Sequence, residues 1–180
     1  LSFSRINGID ITSKKDVKKA LKKVFEKYGR IDSVINCAAT LTKKELVEMS
    51  YEEITSEINI NFLGAVNIAK ISYKYLKQTK GSLILFTSSS YTRGRASYSL
   101  YSSTKAAIVN LTQSLASEWQ KDSINVNVIC PARTQTPMRK NNFGEEDSKT
   151  LLKAKVVAEN TLQTLLKDFS GLVIDVKQGI

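Results

Sequence analysis

Histidine is absent from this 180-residue chain. That excludes serine-histidine and cysteine-histidine catalysis and imidazole metal sites, so any acid or base must be Tyr, Lys, Asp or Glu. Cysteine occurs twice, at Cys37 and Cys130, each inside an apolar run. Two isolated cysteines form neither a disulfide framework nor a zinc motif, and they read as small buried hydrophobes of a reducing, cytoplasmic compartment; no metal is expected. No apolar run approaches the roughly 18 residues that a bilayer span needs, so no membrane partner is expected.

Acid is the scarcer charge, with 17 Asp+Glu against 27 Lys+Arg and a net charge of +10. This balance favours an anionic partner such as a phosphate ester or a nucleotide. Nucleic acid is not expected, because no aromatic-interleaved basic stripe and no recognisable nucleic-acid module accompanies the charge. Much of the excess lies in "SKKDVKKALKKVFEKYGR", where lysines occupy the outer face of an amphipathic helix and Val17, Ala20, Leu21, Val24 and Phe25 the inner one. A hydrophobic content of 42% supports one continuous core and hence one domain.

Strand and helix signals alternate along the chain. "SRINGIDI", Ser4 to Ile11, reads as a strand; a helix follows, opened by Ser13 with Asp16 three residues on and stopped at Gly29. Ile31 to Ala39 is an apolar run of strand length, and Ser50 with Glu53 forms a second capping pattern before a long helix through "EITSEININFLGAVNIAKISYKYLKQ". Gly81 precedes the buried strand "SLILFTSS", and "YSLYSSTKAAIVNLTQSLASEWQ" is a helix with Ala106, Val109 and Leu115 on its inner face. "INVNVICP" is a strand stopped by Pro131, a helix runs from about Lys153 to Leu166, and "GLVIDV" closes as a strand. Repeated strand-helix-strand units predict an α/β fold with a doubly wound parallel sheet. Ligands of such sheets bind beyond the carboxyl ends of the strands, here just after Ile11, Cys37, Phe86 and Ile129.

In "YSLYSSTKAA" the residues four apart, Tyr101 and Lys105, share a helix face. A Tyr–Lys pair at that spacing is commonly a surface pair, and a serine-rich strand end such as "FTSSS" is commonly a loop that satisfies its own backbone. Together with their neighbours, however, these stretches resemble the short-chain dehydrogenase/reductase family. "YSSTK" fits its Tyr-x-x-x-Lys signature, "GRIDSVINCAA" its segment ending Asn-Asn-Ala-Gly, "NINFLG" its helix carrying a catalytic Asn, and "INVNVICPARTQTPM" the stretch ending Pro-Gly-x-x-x-Thr, all in the family's order. The resemblance runs from about Ile9 to the last strand. Ala replaces Gly in both "NCAA" and "CPA", which suggests a subfamily and removes no reacting group.

The resemblance implies a Rossmann-like fold and an NAD(P)H-dependent carbonyl reductase. Tyr101 would be its acid, Lys105 would favour the phenolate and lower the phenol's pKa, and Asn61 would keep a water chain. Ser88 would orient the substrate oxygen; it stands thirteen residues before Tyr101, a spacing that prefers it to Ser89 and Ser90. Contacts to a dinucleotide would come from Asp10, Ile11, Asn36, Ala38, Tyr101, Lys105, Pro131, Thr134 and Thr136. The family's glycine-rich first turn is not in this sequence. Two strands and two helices of the family's sheet would therefore be supplied by a longer polypeptide or another segment, and this chain alone would bind dinucleotide poorly. The residues that select the cofactor would lie there too; the basic balance leans toward NADP, with NAD possible.

"SSSYTRGRASYSLYSSTKAA" with "PARTQTPMRKNNFG" is most similar to the reductase domain that some bacterial proteins fuse to a cytidylyltransferase domain. Those proteins reduce ribulose 5-phosphate to ribitol 5-phosphate for CDP-ribitol and surface polysaccharide. Arg93, Arg95, Arg133 and Arg139 flank the Tyr–Lys pair, where guanidinium forks suit the phosphate of a sugar phosphate. The alternatives are a general ketone reductase acting, for example, on 3-oxoacyl thioesters, and a non-catalytic dinucleotide-binding scaffold. The family resemblance also implies a homo-oligomer, dimer or tetramer, joined through the long helices near Ser50–Gln78 and Tyr98–Gln120.

Overall fold

A computed structural model describes residues 8–178 of the chain. Four strands, β1 (Ser33–Ile35), β2 (Ser82–Phe86), β3 (Asn125–Pro131) and β4 (Val173–Val176), form one sheet in the order β1-β2-β3-β4, every pair parallel. Each is followed or preceded by helix: α1 (Lys14–Tyr28), α2 (Tyr51–Ile58), α3 (Gly64–Thr79), α4 (Ser99–Trp119), α5 (Pro137–Phe143) and α6 (Ala154–Leu165). The doubly wound α/β reading therefore holds within these residues.

Strand periodicity divides the core in two. Leu83, Leu85, Val126 and Val128 face a cluster shared with Val17 and Leu21 of α1, Leu76 of α3 and Ile108 of α4, whereas Ile84 and Ile129 face Val157 of α6 and Leu152. The lysines of α1 stay exposed around buried Val17, Ala20 and Leu21, as an amphipathic helix requires. Its ends are closed by Ser13, which accepts from Asp16 N–H, and by Gly29 at φ 72. Ser50 and Glu53 cap α2 reciprocally.

Several sequence expectations change. The strand expected over Ser4–Ile11 begins outside the described residues, and Gly8 to Ile11 form a bend and a turn, because Asp10 turns its carboxylate onto the Thr12 N–H at 2.8 Å. β1 spans three residues instead of the whole apolar run, since the chain leaves the sheet at Asn36. The long helix is broken by a π turn over Asn59–Leu63, in which Gly64 N–H donates to Asn59 O. Ala106 is exposed; the buried residues of α4 are Ser102, Thr104, Lys105, Ile108, Val109, Thr112, Ala116 and Trp119. Its polar members explain why an apolar pattern did not locate the face. Cys130 is buried and Cys37 is exposed, in the loop that departs from β1.

Gly81, between α3 and β2, is where the chain enters the sheet. A Cβ there would overlap the carbonyl oxygen of Asp32, which Ser82 N–H uses to begin the β1–β2 ladder at 2.9 Å. Backbone in a ladder cannot step aside, so Gly81→Ala is expected to destabilise the fold by about 1–3 kcal/mol. Urea unfolding checks this, as a lower midpoint with an unchanged slope.

Candidate active site

The sheet opens at the carboxyl ends of β1 and β2. Asn36 N–H donates to Ile84 O at 2.9 Å, and parallel pairing would next join Ala38 N–H to Phe86 O. Ala38 instead donates to Asn36 Oδ1 at 3.2 Å, and the freed Phe86 carbonyl accepts from Lys105 Nζ at 3.0 Å. Thr87, the next residue of the β2 segment, donates its hydroxyl to Lys105 O at 2.7 Å. The start of α4 is thus pinned to the end of β2 through both the side chain and the carbonyl of one lysine.

Lys105 is 3% exposed, with its ammonium 5.5 Å from the centroid of the Tyr101 ring. Burial pulls the ammonium pKa down to about 8, against the smaller attraction of Cys37 and Glu57. Tyr101 is pushed up to about 12, chiefly by burial, while a hydrogen bond from Ser88 acts in the other direction. The phenol's pKa is therefore raised in the resting protein, where a lowered one was expected. Burial disfavours the phenolate in the resting protein, and the Lys105 ammonium is held on Phe86 O. Ser88 Oγ accepts from both Ser90 N–H and Ser90 Oγ, at 3.3 and 3.2 Å, which leaves its own hydrogen for Tyr101. Of the three serines considered, Ser88 makes the contact, Ser90 is buried in support of it and Ser89 is exposed.

Asn61 lies in the π turn, 2% exposed, beneath these residues. Its amide grips the main chain of Thr40, accepting from N–H at 2.8 Å and donating to O at 2.9 Å, and also donates to Thr104 Oγ1 at 3.3 Å. Glu57, one turn earlier, accepts from Thr42 N–H at 2.8 Å. Together the two side chains hold the loop after β1 against α4.

Tyr101, Lys105, Ser88, Pro131, Thr134 and Thr136 line one cleft of about 860 Å³, together with Arg95, Arg133 and Arg139. Thr136 caps α5 by accepting from Arg139 N–H at 3.2 Å, and Thr134 donates its hydroxyl to Ala132 O. Arg93 is exposed and outside the lining. Asp10 lies in a separate groove with Thr12 and Tyr51, and the Ile11 carbonyl accepts from Asn67 Nδ2 at 3.1 Å. Asn36 is buried and Ala38 exposed, both beside the cleft residue Cys37.

The sequence reading missed Tyr98, Phe143 and Glu146. Tyr98 and Phe143 line the cleft and meet edge to face at 5.7 Å, and Phe143 also carries Arg139 at 3.9 Å and Lys43 at 4.9 Å over its ring. This aromatic stack joins α5 to the loop after β1. Its members are 45 residues apart in sequence between Tyr98 and Phe143, so no local period marks them.

Comparison with known proteins bears on this geometry. The family model described as short chain dehydrogenase matches residues 5–147. The chain is 50% identical over 175 residues to the bifunctional ribulose 5-phosphate reductase/CDP-ribitol pyrophosphorylase of Haemophilus influenzae, covering 97% of this chain and 37% of that protein. It is 31% identical over 131 residues to the 3-oxoacyl-[acyl-carrier-protein] reductase FabG of Thermotoga maritima, covering 72% of this chain and 53% of that one. The chain therefore spans about half the length or less of these two relatives. Among solved structures, a 3-ketoacyl-(acyl-carrier-protein) reductase from Brucella melitensis complexed with NADH superposes with TM-score 0.87 at 22% identity, covering 95% of this chain and 76% of that one. ElxO with NADP bound superposes with TM-score 0.82 at 25% identity, covering 93% and 74%.

Proposed function

The chain belongs to the short chain dehydrogenase family, and on that footing we propose that it carries the catalytic half of a nicotinamide-dependent reductase of a phosphorylated ketose. The reaction is the reduction of ribulose 5-phosphate to ribitol 5-phosphate, a step toward CDP-ribitol. One observation carries the reading: a single cleft holds the Ser88, Tyr101, Lys105 set and, on its walls, three guanidinium groups. The relative that is 50% identical and named for this reaction supports it. We further propose that the chain is the carboxyl-terminal part of the reductase domain, completed by preceding strands and, in the full polypeptide, by a cytidylyltransferase domain.

The cleft residues fit the nicotinamide end of a dinucleotide. An ammonium has three donors and Lys105 uses one on Phe86 O, so two are left for a ribose. Pro131, Thr134 and Thr136 line the same cleft. The glycine-rich turn that would receive the pyrophosphate is not in this sequence. When bound, the nicotinamide supplies a hydride to the ketone carbon. NADP is favoured over NAD by the net charge of +10.

Each residue then has one task. The carbonyl oxygen of the ketone takes the position served by the Ser88 and Tyr101 hydroxyls, and Ser88 orients it by donation. As negative charge builds on that oxygen, Tyr101 transfers its phenolic proton to it. The buried ammonium of Lys105 stabilises the phenolate left behind. Asn61 holds the Thr40 backbone and Thr104, and so the path along which the phenol regains its proton. The exposed Tyr51, Ile58 and Leu63 support association of copies through the α2–α3 segment.

The test is NADPH oxidation by the full-length polypeptide with ribulose 5-phosphate, against ribulose and a 3-oxoacyl thioester. Turnover restricted to the phosphorylated ketose is expected. Preference for the thioester would transfer the assignment to the general ketone reductase, and no turnover of any ketone despite dinucleotide binding would make the chain a scaffold.

A further inference from the structure

The segment after α5 turns back onto Arg133 and Arg139, two residues that line the cleft. At Gly144 the backbone takes φ 75 and ψ −162, and a Cβ there would meet nothing within 4 Å, so the angle and not the space calls for glycine. Glu145 stays outside, its side chain 80% exposed and paired with Lys140. Glu146 turns inward, its side chain 17% exposed. Its carboxylate accepts from Arg139 Nε at 2.6 Å and from Arg139 Nη2 at 2.8 Å, while Arg133 Nη1 stands 3.5 Å from the same group.

Two guanidinium groups converge there on one carboxylate, which leaves a positive charge uncompensated, with Arg95 lining the same cleft. The fork that receives a carboxylate also receives a phosphate, and a phosphate dianion brings a second charge and a third oxygen. We propose that Glu146 is an internal stand-in for the substrate's phosphate, held on Arg139 and Arg133 until the sugar phosphate takes its place and the 144–147 segment swings out about Gly144. The inference rests on the ketose-phosphate reading.

Like charges cannot share these arginines, so arrival of the dianion expels the carboxylate into solvent, where the exposed neighbours Glu145 and Asp147 already lie. The exchange also selects. A free anion must displace Glu146 with nothing else to hold it, whereas a ketose phosphate is held at its carbonyl by Ser88 and Tyr101 as well.

The test uses the full-length polypeptide with Glu146→Ala and Glu146→Gln. Both are expected to lower KM for ribulose 5-phosphate by about tenfold and to strengthen inhibition by inorganic phosphate by a similar factor, with a smaller change for ribulose; Arg133→Ala shifts the phosphorylated substrate the other way. Hydrogen exchange at residues 144–147 of the unmutated protein is expected to speed up when ribulose 5-phosphate binds. A raised KM in both Glu146 variants with unchanged phosphate inhibition, or slower exchange on binding, would overturn the proposal and leave Glu146 as a brace for the arginines. If ribulose 5-phosphate proves not to be the substrate, the substrate reading fails separately. Phosphate inhibition then still decides the exchange: stronger in the variants supports it, equal overturns it.

Discussion

Replacing Tyr101 by Phe is expected to reduce kcat for ketone reduction by about 10²–10⁴-fold, the usual size of a general acid's contribution, with the chain still folded. The ring keeps its edge contact with Tyr98 at 6.4 Å and its place under the Lys105 ammonium, 5.5 Å from the centroid. Only the hydroxyl is lost. Binding should change little, so the loss falls on kcat and KM is nearly constant. The pH profile separates this from a loss of structure. With Tyr101 pushed up to about 12, its proton is present throughout the working range, and the limb to be read belongs to Lys105, whose ammonium titrates at about 8. Reduction by the unmutated enzyme should be level below pH 8 and fall above it. The residual rate of the Phe variant should show no such limb, because the ammonium then has no phenolate to stabilise. Steady-state NADPH oxidation across about pH 6–10 reads both. A variant keeping more than about a tenth of the rate would remove Tyr101 from the chemistry.

Replacing Lys105 by Met is expected to abolish activity and stabilise the fold. The cation is 3% exposed and has no carboxylate in direct contact among the described residues. Its pKa falls from 10.5 to about 8, so holding the proton in the folded state costs on the order of 3 kcal/mol at neutral pH. Methionine fills similar volume without the charge, although Phe86 O loses its donor, which returns about 1–2 kcal/mol. The net gain is therefore about 1–2 kcal/mol, a rise in Tm of a few °C at about 2–4 °C per kcal/mol. Its pH dependence has a definite sign. Below about 8 both folded and unfolded chains carry the proton and the folded state bears the full burial cost. Between about 8 and 10.5 the unfolded chain binds the proton that the folded chain has lost, so the unmutated protein becomes more stable as pH rises. The advantage of the Met variant should shrink over that window and reverse above it, where only the lost contact to Phe86 O remains. Thermal unfolding of both proteins at pH 7 and pH 10, about the two sides of the transition, measures this. An equal Tm difference at the two pH values would show that the lysine is not buried as a charge.

Most of the sheet was legible in the residues. The buried strands read in "SLILFTSS" and "INVNVICP", the caps at Ser13 and Ser50 and the stop at Gly29 are local signals, and each acts where it was read. The Tyr101–Lys105 pairing was legible too, because a helix brings residues four apart together whatever surrounds them. What went unread depends on distant partners. β1 ends early because Asn36 satisfies Ala38 N–H, and the helix through Asn61 takes a π turn where Asn61 reaches Thr40 and Thr104. Neither event has a period.

By itself, then, the sequence determined the alternation of β1 to β4 with α1, α4 and α6, the parallel sheet and the Tyr101–Lys105 pairing, since all three follow from short-range geometry and hydrophobic period. Tertiary structure alone decided the electrostatics of that pair. Burial, a property of the assembled core, raises Tyr101 and lowers Lys105 in opposite directions. The same holds for the fate of the arginines: Arg93 was left in solvent and Arg139 was turned onto Glu146, choices made by where a folded chain brings side chains and not by where they stand in line.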